Sequence, residues 1–279
     1  MLRTLHAYLV LPHAVPVIVV LLTTAAFALL APGGVPSAGT LTRLLLAMLG
    51  GQVAIGTVNE VVDAELDAVA KPRKPIPAGD VSVPAALALA AIGLVAMVVF
   101  GVGFGVASLV LCALGTGAGL AYDLWFKRSL LSWLPYLVAL PLLPIWVWTA
   151  LSGFDARLLL LYPLGACAVV GVHLSQALPD TGGDRATGVR NLASALGERR
   201  AIVLCWAATL SAPVLALTLT PALSERPRWV WLAAGVVVGL LGVDAGLYAI
   251  RRRLGVMACF PCVAVGTAAM GLGWVLGLG

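Results

Sequence analysis

Charge is scarce in this chain: of 279 residues, 10% are Asp, Glu, Lys or Arg against 61% hydrophobic, and mean hydropathy is +1.05. Soluble domains carry about 25% charged residues, so a soluble globular fold is excluded. No hydrophilic stretch is long enough for a soluble domain. The basic residues stand in separate short loops with no basic, aromatic-lined surface between them, which excludes a nucleic-acid partner. Cysteine builds no framework either. Cys112, Cys167 and Cys205 stand singly in apolar runs as packing residues. Cys259-Phe-Pro-Cys262 has the form of a redox pair but lies in an apolar run without a thioredoxin-like context.

What the chain has in quantity is apolar sequence cut to bilayer length. Runs near the ~20 residues that a membrane helix needs fall at 8–31, 41–62, 84–103, 106–122, 131–152, 157–178, 200–220, 229–250 and 255–278. They predict an all-α, polytopic membrane bundle of about nine transmembrane helices, with residues 1–279 as a single domain. The first run follows Arg3 but is too long for the apolar core of a signal peptide, so it is predicted to be a retained helix. Topology follows from the cations. With the N-terminus cytoplasmic, 13 of the 17 basic residues fall on cytoplasmic segments, leaving only Arg43, Arg157, Arg226 and Arg228 on the other side. The C-terminus is then external. The net charge of +5 follows from this bias and draws the cytoplasmic face toward anionic membrane lipid.

Two polar rows interrupt this pattern. Asn59, Asp63 and Asp67 stand at i, i+4 and i+8, which at ~100° per residue places them within ~80° of one another on one helix face. Gln176, Asp180 and Asp184 repeat the spacing, each 117 residues further on. A carboxylate at membrane depth must be neutralised by a proton, a cation or a partner. The alternative is that these are solvated acids where helices leave the bilayer, but the matched spacing favours one metal site assembled from two rows, both on the cytoplasmic side.

Cations stand beside both rows. Lys71-Pro-Arg-Lys-Pro-Ile-Pro-Ala-Gly79 is stiffened by Pro72, Pro75 and Pro77, and can hold Arg73 and Lys74 near whatever the metal binds. In Ala121-Tyr-Asp-Leu-Trp-Phe-Lys-Arg-Ser129, two readings stand side by side. The segment is an interfacial anchor, or Lys127 reaches an anion with Tyr122 beside it. Gly182, Gly183 and Gly188 are expected to break the helix at the second row, with Arg185 and Arg190 following. His13 is most simply a hydrogen-bonded packing residue, and Asp244, within an apolar run, has no account from sequence.

Taken together, Asn59-xxx-Asp63-xxx-Asp67, the basic Pro-x-Pro loop, Tyr122 with Lys127, and Asp180-xxx-Asp184-Arg185-xx-Gly188 with Gly197 resemble the UbiA superfamily of intramembrane prenyltransferases. The resemblance spans most of the chain. It departs from the family pattern at Glu60, where Asp is usual, at Leu11-Pro12 in place of Arg-Pro, at Lys74 in place of Arg, and at Gln176-Ala177 in place of Asn-Asp. The resemblance implies Mg²⁺-dependent transfer of an isoprenyl group from an isoprenyl diphosphate to a small aromatic or lipid-like acceptor. It implies that Asn59, Asp63, Asp67, Asp180 and Asp184 bind metal, the four aspartates forming the catalytic set. Lys127 would contact the diphosphate, joined by Arg73, Lys74, Tyr122, Gln176 and Arg190. Two other functions share these features. A membrane terpene cyclase would use the same site without an acceptor, and a transporter of an anionic metabolite would also place charges at membrane depth.

Overall fold

The computed structural model describes residues 7–31, 34–186 and 191–277, leaving aside the side chains of 167 and 184–186. Among the described residues there is no strand, and the fold is all-α. The helices are α1 (Ala14–Leu29), α2 (Ala38–Ala70), α3 (Val83–Gly101), α4 (Val106–Ala121), α5 (Leu134–Leu151), α6 (Leu161–Ala177), α7 (Thr181–Ala186), α8 (Leu192–Leu196), α9 (Glu198–Leu223), α10 (Pro227–Ile250) and α11 (Arg252–Gly277). Among the described residues, seven segments are long and apolar enough to cross a membrane, and an eighth if the bent segment 156–183 counts as one span. The ninth expected span contains α1, which is apolar but only 16 residues long. The outward faces of these helices carry Ile92, Val95, Val99, Val203, Val214, Leu232 and Val236, as lipid contact requires.

Contacts divide the chain into two compact units, one of Met1–Lys127 with Leu142–Asp155, the other of Arg128–Pro141 with Ala156–Gly279. The first is organised by α2. Ser37 caps it, its Oγ accepting the Thr40 N–H at 3.2 Å, and its 33 residues run ~50 Å at 1.5 Å each. That exceeds the ~30 Å hydrocarbon core, so α2 extends past the end of its apolar sequence and carries the whole first row within one helix. Gly50 and Gly93 let α2 and α3 meet backbone to backbone; a Cβ on Gly50 would lie 2.5 Å from the Gly93 carbonyl oxygen. After Lys71, successive turns fold the proline-rich loop back, with Ala78 N–H donating to Lys74 O at 2.9 Å and Asp80 N–H to Pro75 O at 2.9 Å. Ala7 and Leu11 pack against Val81 and Ala86, pinning the N-terminal segment over this loop.

In the second unit α6 packs on α9, where the Cys205 thiol donates to the Gly171 carbonyl at 3.2 Å. Asp244 of α10 is fully buried and accepts the Trp206 indole N–H at 2.7 Å, which accounts for an acid the sequence left unexplained. Cys205 and Cys259 are free thiols 3.6 Å apart, and Cys262 is also free. Of the three glycines expected to break the helix at the second row, Gly188 lies outside the described residues. Gly182 and Gly183 lie inside α7, and the α-helical hydrogen-bond pattern changes instead at a 3₁₀ segment, Leu178–Asp180, while the 54° bend of this span falls earlier, between Ala166 and Ala168. Pro179, which has no N–H to donate, interrupts the α-helical pattern there.

Candidate active site

The first row is built on the last turns of α2, and each of its polar side chains meets a partner from another segment. Asp63 is paired with Lys127 through Oδ2 and Nζ. Lys74 bridges two acids, with Nζ 2.7 Å from Asp67 Oδ2 and 2.6 Å from Glu60 Oε1. Asn59 donates its side-chain N–H to Asp123 Oδ1 at 2.6 Å. His13 Nε2 lies 3.0 Å from Glu60 Oε1. Burial opposes the charge on Lys74, but the hydrogen bonds and charges of Asp67 and Glu60 outweigh it and raise its pKa above the ordinary lysine value. Lys74 therefore stays charged through the neutral range.

Two local features of the sequence bring these partners in. Between α4 and Lys127 the chain forms a π turn, Tyr122–Phe126, closed by the Lys127 N–H on the Tyr122 carbonyl at 2.7 Å. A π turn adds one residue to a helical register. Here it places Asp123 against Asn59 and, four residues later, Lys127 against Asp63. One turn before Glu60 on α2, Gly56 lacks the side chain that would block the N-terminal segment. A Cβ there would lie 2.5 Å from the Pro12 carbonyl oxygen. Directly after this contact His13 stands in the left-handed region at φ 60°, at the start of α1, with its ring beside Glu60.

The cluster thus joins four acids, Glu60, Asp63, Asp67 and Asp123, to two lysines and one histidine. The acids exceed the lysines by two charges, which one divalent cation would balance. Every acidic donor is a hard oxygen, the ligand type that Mg²⁺ takes, and no thiolate enters. Among the described residues, no group of three or more His, Cys, Asp or Glu side chains forms a ready metal cage. Mg²⁺ is ordinarily held by one or two carboxylates together with substrate phosphates and water. The donor set therefore fits Mg²⁺ held jointly with a phosphate.

The remaining predicted residues divide. Arg73 is exposed and lines an open cavity of ≈530 Å³ with Ala7, Val10, Pro72, Pro75, Ala78 and Asp80. Tyr122 contributes the carbonyl that closes the π turn. In the second unit Gln176 Oε1 accepts the Tyr136 hydroxyl. Tyr136 stacks edge-on to His173 with ring centroids 5.2 Å apart, and His173 Nε2 lies 2.8 Å from Ser132 Oγ. Asp180 ends the 3₁₀ turn and is exposed. Asp184 belongs to α7, its side chain outside the description, and Arg190 lies outside the described residues altogether.

Sequence reasoning passed over Asp123, Glu60 and His13 as members of the site. Asp123 left a signal, since an acid inside an apolar helix stands out at membrane depth. Glu60 was visible only as a departure from a family pattern. His13 had no local signal, because its place depends on the Pro12–Gly56 contact across 44 residues of sequence.

A family model described as the UbiA prenyltransferase family matches residues 20–260. A digeranylgeranylglyceryl phosphate synthase of Natronomonas pharaonis is 28% identical over 226 residues, 77% of each chain. One of Methanoculleus marisnigri is 30% identical over 194 residues, 64% of this chain and 66% of that one. A UbiA homologue from Archaeoglobus fulgidus, solved with GPP and Mg²⁺, shares the fold at a TM-score of 0.74 and 16% identity, covering 96% of this chain and 99% of that one. An Aeropyrum pernix homologue gives a TM-score of 0.72 at 20% identity, covering 92% and 96%. With the family model matching most of its length, and with membrane-spanning helices throughout, the chain belongs to the UbiA prenyltransferase family and is a multi-pass membrane enzyme of that type.

Proposed function

We propose that the whole chain acts as one catalytic domain that transfers an isoprenyl group from an isoprenyl diphosphate, with Mg²⁺, to a lipid-like acceptor at the cytoplasmic side. The observation that carries this reading is the cluster on α2, where acids outnumber lysines by two at membrane depth. Asn59, Asp63 and Asp67 would hold the metal from the first row, and Asp180 and Asp184 from the second. When bound, Mg²⁺ would offset the diphosphate's charge and the charge that builds on the leaving oxygen as the allylic C–O bond breaks.

The chain's own residues supply the rest. Lys127 and Lys74 hold the acids in place and present ammonium groups beside them, where a diphosphate oxygen can accept a charge-assisted hydrogen bond. Arg73, Tyr122, Gln176 and Arg190 are proposed as further diphosphate contacts. A cytoplasmic N-terminus and an external C-terminus are supported by the distribution of basic residues.

Among acceptors, similarity to enzymes named digeranylgeranylglyceryl phosphate synthase favours a prenylated glyceryl phosphate over an aromatic ring. The test is incubation of purified protein with Mg²⁺, labelled prenyl diphosphates of several lengths, and either a prenyl glyceryl phosphate or an aromatic acid, followed by mass analysis. A prenylated glyceryl phosphate is expected. A hydrocarbon or terpene alcohol formed without acceptor would replace this reading with a terpene cyclase.

A further inference from the structure

The π turn after α4 brings Asp123 to Asn59, and the chemistry of that pair is directional. A side-chain amide has one oxygen that can accept or ligate and one NH₂ that can only donate. Which end faces outward is decided by what the amide meets. Asp123 is 3% exposed, and its Oδ1 accepts the Asn59 Nδ2 hydrogen at 2.6 Å. A carboxylate only accepts, so it draws the donor end of Asn59 toward itself and leaves the amide oxygen for another partner. Its second oxygen, Oδ2, is buried with no hydrogen-bond partner among the described residues, so the carboxylate is held through the Asn59 bond to Oδ1.

We propose that Asp123 is the positioning residue of the first row, fixing the Asn59 side chain so that its oxygen, and not its NH₂, is offered to the metal–diphosphate complex. This rests on the proposed function, in which Asn59 is a metal ligand. Side chains that orient a ligand typically change metal affinity by 10- to 100-fold when removed. The role predicts a pattern that a packing role does not. In Asp123→Asn the two amides can pair either way. The orientation that keeps the Asn59 oxygen outward puts an NH₂, a group that only donates, into the buried place of Oδ2, an atom that makes no hydrogen bond. Asn59→Asp opposes two carboxylates. The exchanged pair, Asn59→Asp with Asp123→Asn, restores one donor, one acceptor and an outward oxygen.

The experiment is Mn²⁺ binding, followed by electron paramagnetic resonance, to the purified full-length chain in detergent with a non-hydrolysable prenyl thiodiphosphate. Thermal unfolding without metal is measured on the same samples. Asp123→Leu, Asp123→Asn and Asn59→Asp are each expected to bind Mn²⁺ roughly 10- to 100-fold more weakly than wild type with little change in unfolding temperature. The exchanged pair is expected to recover most of that loss. Wild-type affinity in Asp123→Asn, or an exchanged pair no better than Asn59→Asp, overturns the inference, and the isosteric Asn variant decides it even if Asp123→Leu fails to fold. No Mn²⁺ binding by the wild-type chain overturns the function proposed above and this inference with it.

Discussion

Lys127 is ion-paired with Asp63, so the residue that ends the π turn and the middle acid of the first row are held together across 64 residues of sequence. The pair keeps an ammonium beside a proposed metal ligand. Replacing Lys127 by alanine removes a charged hydrogen bond worth roughly 1.5–3 kcal/mol, or about 10- to 100-fold in affinity. Lys127→Ala is therefore expected to raise the KM for prenyl diphosphate by about that factor. Arg252 is the control: it is paired with Glu198 at 2.6 Å on an exposed surface, where such pairs contribute little. Steady-state kinetics should show Arg252→Ala close to wild type, and equal losses in both variants would mean that the site lies elsewhere.

Gly56 makes a second, independent test of how the site is assembled. Alanine in mid-helix is normally favoured over glycine by about 1 kcal/mol. At Gly56 its Cβ would meet the Pro12 backbone, so Gly56→Ala should displace the segment that seats His13 beside Glu60. A loss of roughly 1–3 kcal/mol is expected from such overpacking. Gly115→Ala, on α4 with nothing within 4 Å, should be neutral or stabilising. Thermal unfolding of the two variants in one detergent distinguishes them, and parallel behaviour would remove the Pro12–Gly56 contact from the account.

Hydropathy and four-residue spacing made much of this legible. The spans are set by apolar run length, and Asn59, Asp63 and Asp67 share a face because helical geometry requires it. The α2 boundary was less visible. The apolar run ends near residue 62, but the helix continues to Ala70 because its backbone hydrogen bonds do not depend on an apolar surround. The π turn is invisible to a pattern of period 3.6, and with it went the placement of Asp123. Lys74 was legible as a nearby cation, but its bridging of Glu60 and Asp67 depends on how the proline-rich loop folds back.

Topology can be checked without activity. Because 13 of 17 basic residues cluster on alternate loops, single cysteines in the 68–82 loop should react with impermeant reagent only from the cytoplasmic side. Cysteines in 221–228 should react only from the other. Labelling of both loops from the same side would contradict the proposed orientation.

The central claim is that the two acidic rows serve one metal–diphosphate complex. Asp63→Asn and Asp180→Asn are each isosteric, and each removes one charge from the proposed set of metal ligands. Mg²⁺-dependent turnover should fall by about two orders of magnitude or more in either variant. The double variant should be little worse than either single one, since residues that act as a unit are far from additive. Expression and unfolding temperature should hold, because removing a carboxylate at membrane depth also removes its desolvation cost. The measurement is turnover of a labelled prenyl diphosphate by the two single variants and the double, side by side with wild type. Near-complete loss in each single variant with no further loss in the double is the predicted result, and normal Mg²⁺-dependent turnover in either single variant would contradict it.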